Sequence, residues 1–437
     1  MRILKIIHGY PPLYNAGSEV YSQMLCHGLA NKHQVDVLTR EENPFAQDFA
    51  LTRSQDPLDP RVTLYRINIP GEKYRYRYQH PEVDTIVAEL LTTTKPDIVH
   101  IGHLNHLSTS LVHEIAKQNI PIVYTLHDYW LMCPRGQFIQ RNAAPENQLW
   151  ALCDGQDDRK CAKHCYAGYF SGSHHDADRD QTYWTDWVAR RMAHIRTILK
   201  QVTYFIAPSR YLHQRYIREF DIPAQKMIYL DYGFDRVRLQ NRQRTANAPF
   251  TFGYIGTHIP AKGIQHLISA FGLLKGVSQL FIWGRPNAQN TQGLKAIVAT
   301  LPEEVQSRIQ WFPEYHNEHI VNDVFNQVDC IVVPSIWVEN SPLVIHEALQ
   351  VRLPVITADT GGMAEYVLHE KNGLLFEHRN INSLVEQMQR MIDNPQLARQ
   401  LGSQGYLQSN DRDIPDINAH VINLETIYQQ AIQTKLL

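Results

Sequence analysis

The chain has 437 residues, enough for two domains that each bury a core of their own. Its 42 Lys and Arg against 44 Asp and Glu leave a formal net charge of −2, without the basic excess of a protein that works by gripping nucleic acid. At 43% hydrophobic content, with no run near the roughly 20 apolar residues that cross a bilayer, the composition is that of a soluble globular chain.

The opening, Met1 to His8, is apolar over too few residues for a signal peptide and reads as a buried first strand, Ile3–His8. That reading places the protein in the cytoplasm. The loop His8-Gly-Tyr-Pro-Pro-Leu-Tyr-Asn-Ala-Gly-Ser-Glu19 leaves this strand and enters a helix over Glu19–Ala30. Gly17 in that loop permits close approach of a backbone N–H to a ligand, although any strand-to-helix turn can hold a glycine. Further strands fall at Val35–Thr39, Thr63–Ile67, Asp97–His100, Ile122–Thr125 and Tyr204–Ala207, with a helix at Val83–Leu91. Just past Ile122–Thr125, His127 and Asp128 emerge where an open α/β sheet binds its ligands. A buried histidine satisfying a local hydrogen bond is the plainer reading of His127. Asp128 either orients the imidazole or caps the next turn.

A polar stretch, Arg236–Ala248, precedes a second series of strands: Phe250–Ile255, Leu280–Trp283, Ile309–Phe312, Cys330–Val333, Val355–Thr357 and Leu374–Phe376. Helical patterns sit at Ile264–Leu274, Pro342–Gln350 and Ile381–Ile392. Alternating strands and helices in two series predict an α/β protein of two doubly wound, Rossmann-like domains facing each other across a cleft. The boundaries expected are 1–230, 231–414, and a C-terminal helix over 415–437 whose docking the sequence does not give.

Two stretches of the second series carry chemistry. In Gly253-Tyr-Ile-Gly-Thr-His-Ile-Pro-Ala-Lys-Gly263, a strand–turn–helix junction brings the Lys262 ammonium and the Gly256 backbone toward a phosphate. In Asp329-Cys-Ile-Val-Val-Pro-Ser-Ile-Trp-Val-Glu-Asn-Ser-Pro-Leu-Val-Ile-His-Glu-Ala-Leu349, a strand leads to Glu339, then to a helix opening at Pro342. Free N–H groups at such a helix start suit a diphosphate. Glu347, eight positions after Glu339, suits a ribose diol; taken singly, each carboxylate also reads as a solvated helix-face charge.

The second segment resembles the Glu–seven residues–Glu motif of family 4 retaining glycosyltransferases. Leu353-Pro-Val-Ile-Thr-Ala-Asp-Thr-Gly-Gly-Met-Ala-Glu-Tyr-Val367 and Asn372-Gly-Leu-Leu-Phe376 match that family's usual continuation. The resemblance implies the GT-B fold, with the first domain on the acceptor side and the second holding the nucleotide sugar. It implies that Glu339 and His127 contact the donor sugar at the reacting centre. It gives the diphosphate to Lys262, Gly256 and the backbone of Asn340, Ser341, Pro342 and Leu343, the ribose to Glu347, and phosphate or acceptor to Gly17. The implied reaction is transfer of a hexose-type sugar, with retention and without a catalytic metal, to a glycan, glycolipid or other acceptor in surface-glycan biosynthesis. Two departures stand out: Thr257 occupies the place where many members carry Arg, and Ala16-Gly17 replaces a Gly-Gly pair. Either one cation plus the helix start suffices, or another basic residue such as Arg210 or Arg135 swings in. Because of Thr257, a non-catalytic nucleotide-sugar-binding protein on a degenerate GT-B scaffold remains as a reading. So does another GT-B enzyme, such as a nucleotide-sugar epimerase or a hydrolase.

Between Cys133 and about Tyr183 the rhythm breaks into an insertion rich in Cys, His, Asp and Gly. Cys133, Cys153, Cys161 and Cys165, with His164 and His174 nearby, suggest a closed tetrahedral zinc site in a structural role. Free thiols, a redox pair or disulfides are the competing readings, since the spacing is not that of a standard finger. Cys26 and Cys330 sit in helix and strand patterns and read as core. Tyr74-Arg-Tyr-Arg-Tyr-Gln-His80 interleaves aromatic and basic residues. It suits an anionic or sugar acceptor, or peripheral contact with the inner face of a membrane bearing a lipid-linked one; a solvated loop is the plainer reading.

Overall fold

The computed structural model describes residues 1–71, 77–140, 150–167, 174–244 and 249–436. The chain divides into two compact units, Met1–Phe234 with Ile417–Leu437, and Asp235–Asp416. Tyr74, Arg75 and Tyr76 of the aromatic–basic stretch lie outside the described residues.

The first unit holds β1 (Arg2–Ile6), β2 (Gln34–Glu41), β3 (Leu51–Gln55), β4 (Val62–Asn68), β5 (Ile98–Ile101), β6 (Ile122–Thr125), the pair β7 (Ile139–Gln140) and β8 (Ala151–Leu152), then β9 (Tyr204–Ala207) and β10 (Met227–Tyr229). Eight of them form one sheet in the order β10-β9-β6-β5-β1-β2-β4-β3. Only β3, against β4, runs antiparallel in it. In β1, Ile3 pairs in register with Val35 of β2 and with Ile98 of β5. Ile3, Leu4 and Ile6 are all buried, as expected of a central parallel strand covered on both faces. The helix Gly17–Leu29 (α1) follows β1, and the C-terminal helix Ile417–Leu436 packs beside it. Tyr21 of α1 and His420 are joined by a 2.8 Å hydrogen bond, and Tyr428 meets His100 of β5 at 2.6 Å. The tail therefore completes the first unit, although it follows the second in sequence.

The Cys133–Tyr183 insertion is less irregular than its composition predicts. It contains the β7–β8 hairpin, a helical turn Asp158–Cys161 and a π-helical turn Ala162–Ala167. It also contains the start of a long helix, His174–Leu199. The polar opening of that helix masks its periodicity. The structural zinc expected at Cys133, Cys153, Cys161 and Cys165 is not supported. Among the described residues, no group of three or more His, Cys, Asp or Glu is arranged to hold a metal ion. Zinc takes thiolates converging on one point, whereas the Cys153 sulfur lies 3.0 Å from the Gly155 carbonyl and Cys165 turns toward that of Ile139. Burial pushes the Cys161 thiol up to about 12 and raises that of Cys133.

The second unit holds β11 (Phe250–Ile255), β12 (Ser278–Trp283), β13 (Ile309–Trp311), β14 (Cys330–Val333), β15 (Val355–Ala358) and β16 (Gly373–Phe376). These make one parallel sheet in the order β13-β12-β11-β14-β15-β16. Numbered within the unit this is 3-2-1-4-5-6, a doubly wound sheet whose strand order reverses between β11 and β14. The helices α2 (Ile264–Phe271) and α3 (Leu343–Gln350) follow those two strands. Cys330, like Cys26 in the first unit, is fully buried.

Candidate functional site

In a doubly wound sheet, ligands collect beyond the carboxyl ends of the strands at the reversal point. In the second unit that point is flanked by the loop after β11, which carries Lys262, and the loop after β14, which carries Glu339. The Lys262 Nζ donates to Glu339 Oε1 at 2.7 Å, and the Ser335 hydroxyl donates to the same oxygen at 2.6 Å. Glu339 is buried, whereas Lys262 keeps about a third of its side chain exposed. Residues 77 positions apart thus meet because β11 and β14 are neighbours in the sheet.

Two glycine features make this approach possible. Gly263 has φ +71°, and a Cβ there would stand 1.8 Å from the Pro334 carbonyl oxygen. The Lys262 loop is thereby pressed onto the chain leaving β14. At Gly362 a Cβ would lie 1.3 Å from the Asn340 carbonyl oxygen, and the Gly362 N–H donates to the Glu339 carbonyl at 3.0 Å. The Gly361-Gly362 pair seen in the sequence is therefore the seat of the Glu339–Asn340 turn.

Asn340 and Ser341 are buried, and α3 starts at Leu343 with Pro342 in the N-cap position, one residue earlier than the helical place expected for the proline. Among the described residues no side chain caps this helix start; the Ile345 N–H donates to the Pro342 carbonyl at 3.1 Å, and the N–H groups of Leu343 and Val344 are left open to an acceptor. Among the described residues the buried Ser341 hydroxyl has no hydrogen-bond partner. Gly256 directly follows β11, where its N–H meets the Trp283 carbonyl at 3.2 Å. The Tyr254 hydroxyl donates to the Thr257 carbonyl at 3.3 Å, and burial together with the Glu339 carboxylate raises its pKa.

Glu347 lies on α3, buried, and accepts from Arg238 Nη2 at Oε1. Arg238 Nη1 also donates to the Asn317 carbonyl at 3.0 Å. The sequence does not single out Arg238, which falls within the polar stretch Arg236–Ala248 ahead of the second series of strands. Only contact across 109 positions reveals it.

In the first unit the strand order reverses between β1 and β5, and a second polar cluster forms beyond their ends. The His8 and His103 rings are 4.4 Å apart. Glu19 Oε1 lies 3.3 Å from His8 Nε2, and Asp128 lies 3.3 Å from His103 Nε2. Asp128 also accepts from the Trp130 N–H at 2.8 Å, so it caps its turn and faces His103. His127 Nδ1 is 2.6 Å from the Tyr232 hydroxyl, with the two rings stacked. Desolvation, and then the nearby Lys5 and His103 charges, hold the His127 pKa well below the usual histidine range, so its ring is neutral. His8 is lowered in the same way, first by desolvation and then by His103, His106 and Arg40. Gly17 stands exposed at the first turn of α1, which also has no side-chain cap. Beneath the cluster Lys5 is fully buried, its Nζ unpartnered among the described residues and its pKa brought down by burial to about 7. Sequence reading passed over Lys5, His8 and His103: one lysine in an apolar strand and two scattered histidines carry no spacing signal.

Among the described residues no helix is long and apolar enough to cross a membrane. The family model of Glycosyltransferase Family 4 matches residues 16–238, just over half of the chain, and that of Glycosyl transferases group 1 matches residues 235–408. A GDP-mannose-dependent alpha-(1-6)-phosphatidylinositol monomannoside mannosyltransferase of Mycobacterium tuberculosis is 24% identical over 211 residues, 45% of this chain and 54% of that protein. The capsular polysaccharide biosynthesis glycosyltransferase CapM of Staphylococcus aureus is 23% identical over 222 residues, 46% of this chain and 56% of CapM. The chain spans about half, or less, of the length of the curated relatives it matches. Among solved structures, sucrose-phosphate synthase from Thermosynechococcus elongatus superposes with TM-score 0.71 at 19% identity, covering 99% of each chain. HepE from Anabaena, in complex with UDP and glucose, does so with TM-score 0.65 at 16% identity over 98% of this chain and 100% of that one. With the reversal-point site, the Glu339/Glu347 pair on one side and its Gly-Gly seat on the other, these matches make the chain a member of the family 4, group 1 glycosyltransferases of GT-B fold.

Proposed function

We propose that this protein is a retaining glycosyltransferase that moves a hexose-type sugar from a nucleotide-sugar donor to a glycan or lipid-linked acceptor. Surface-glycan assembly on the cytoplasmic face of a membrane is the setting, in keeping with relatives named for phosphatidylinositol mannoside and capsular polysaccharide synthesis. The observation that carries the reading is the Lys262–Glu339 contact of 2.7 Å beside an open helix start and the unpartnered Ser341 hydroxyl. Such a site offers a cation, free N–H groups and a hydroxyl to a diphosphate, and a carboxylate to the sugar attached to it.

In this reading the donor diphosphate takes Lys262, the Gly256 loop and the N–H groups of Asn340, Ser341 and Leu343, Pro342 having none to give. Charge growing on the leaving diphosphate is stabilised by those preorganised donors, without a divalent cation. The first unit contributes Gly17 and the neutral His127, which contacts the sugar through its ring while Tyr232 fixes its orientation. Attack from the face the leaving group departs, with the phosphate taking the acceptor proton, gives retention. With Thr257 after Gly256, the second cation common in the family is replaced by the helix start.

The test is nucleotide release from UDP-, GDP-, ADP- and dTDP-sugars, with and without mixed acceptors, in the presence and absence of EDTA. One donor should be turned over, indifferent to EDTA, giving a product of unchanged anomeric configuration by NMR. Glu339→Gln should lower turnover on the order of 100-fold or more, by losing charge support at the reacting centre. Turnover unaffected by that substitution, or a product of inverted configuration, would sink the reading.

A further inference from the structure

The second carboxylate of the pair has a partner the motif does not announce. Arg238 sits in the short turn Val237–Leu239, three residues after the second unit begins at Asp235. Its side chain is 9% exposed and that of Glu347 is 5% exposed, so this is a buried ion pair. Such a pair repays its desolvation only with good geometry and further hydrogen bonds, and one bond here goes to the Asn317 carbonyl. A guanidinium bridging a carboxylate and a carbonyl is a fork that the single ammonium of lysine cannot copy.

Among the described residues Arg238 is the one hydrogen-bonding partner of the Glu347 carboxylate, and it engages Oε1 alone. A carboxylate has lone pairs on both oxygens, so Oε2 keeps its capacity to accept. Tyr315 stands close enough to feel the Glu347 charge, which after burial is the largest influence raising its pKa. Glu347 is thus held in one rotamer, from one side, by a group that belongs to the start of the unit.

We propose that Arg238 is a positioning residue for the donor: it fixes Glu347 so that Oε2 accepts from the ribose diol of the nucleotide. The inference rests on the reading of Glu347 as the ribose carboxylate. It adds a specificity determinant outside the Glu–seven residues–Glu motif. Lys262 and Arg238 then serve one carboxylate each, the first at the sugar and diphosphate, the second at the ribose.

The experiment is calorimetric titration of the full-length protein with UDP, GDP and ADP, each beside its 2′-deoxy form. The wild type should bind one ribonucleotide about tenfold more tightly than its deoxy form, the scale of one hydrogen bond to a charged group. In Arg238→Met the ribonucleotide should weaken about tenfold while the deoxy form changes little, so that the discrimination falls toward one. With the donor that turns over, KM should rise and kcat should hold. Arg238→Lys, the milder change, serves if the methionine variant fails to fold, and should also lose discrimination. Equal weakening of ribo and deoxy forms would mark Arg238 as merely structural and overturn the proposal, as would undiminished discrimination. If Glu347→Gln discriminates as well as the wild type, the ribose reading beneath it fails instead. Binding of none of the three ribonucleotides would also overturn the proposal, since Glu347 would then have no ribose diol to hold.

Discussion

At the scale of single residues the protein carries two kinds of buried charge, with different purposes. Glu339 and Glu347 are each matched by a cation, Lys262 and Arg238, at the reversal point of the second sheet. Lys5 is the opposite case, an amine in the middle of β1 with no hydrogen-bond partner among the described residues. Burial brings its pKa down to about 7 against a smaller upward pull from Cys26, and its charge in turn lowers His100, His127 and His420. An unfolded lysine titrates near 10.4. Between about 7 and that value the unfolded chain holds a proton the folded one lacks, so Lys5 lets stability rise with pH across this window. Below it the native state must hold an unpaired buried ammonium. Lys5→Met fills the same space without the charge and should raise the unfolding free energy measured in urea at pH 7 by on the order of 1–3 kcal/mol. The gain should shrink as pH approaches 10. A variant no more stable than wild type at pH 7, or a gain that persists unchanged to pH 10, would show that Lys5 has a partner in solution.

At the scale of elements, the apolar spacing of the tail predicts a helix and Ile417–Leu436 forms one, yet nothing in that spacing says which surface it covers. What decides is a set of pairs more than 300 positions apart: Tyr21 with His420, His100 with Tyr428, His33 with Glu425. The strands were legible because parallel-sheet interiors demand apolar runs, as in Ile122–Thr125 and Cys330–Val333. The antiparallel edge β3, Leu51-Thr-Arg-Ser-Gln55, was missed because all five of its residues are exposed and carry no apolar alternation. Of the candidate site, Lys262, Glu339 and Gly361-Gly362 can be picked out from the sequence because they belong to local strand-to-helix turns. Arg238 and Lys5 cannot, because their meaning lies in contacts. His420 gives the helix a measurable signature. Its burial brings its pKa down to about 4, against about 6.5 unfolded. Between those values only the unfolded chain is protonated, so stability falls as pH drops from 6.5 toward 4, by on the order of 3 kcal/mol. His420→Gln should flatten that part of the unfolding midpoint's pH dependence while weakening the protein near neutrality through the lost Tyr21 bond. A slope identical to wild type would mean that the helix is not docked through His420.

At the scale of the whole molecule the two units are threaded unequally. The second is a continuous stretch, Asp235–Asp416, whose six strands, reversal-point site and ionic contacts such as Arg352 with Asp413 and Arg236 with Asp411 all come from within it. The first needs both ends of the chain. Leu424, Tyr428 and Ala431 of its last helix are fully buried, and Val421 packs against Gly28 of α1. Removing that helix would uncover Tyr21 and leave His100 without its 2.6 Å hydroxyl partner. Buried groups stripped of hydrogen bonds cost about 1–3 kcal/mol each, before the lost apolar area is counted. A fragment of residues 235–416 should therefore fold cooperatively and bind the preferred nucleoside diphosphate, as calorimetry would read. A fragment of residues 1–234 should unfold at lower temperature or aggregate, and adding residues 417–437 through a flexible linker should restore its transition. A stable, cooperative 1–234 fragment would show that the tail decorates the first unit without completing it. A second-unit fragment that folds but binds no nucleotide would mean that its Lys262–Glu339 cluster does not suffice for donor affinity.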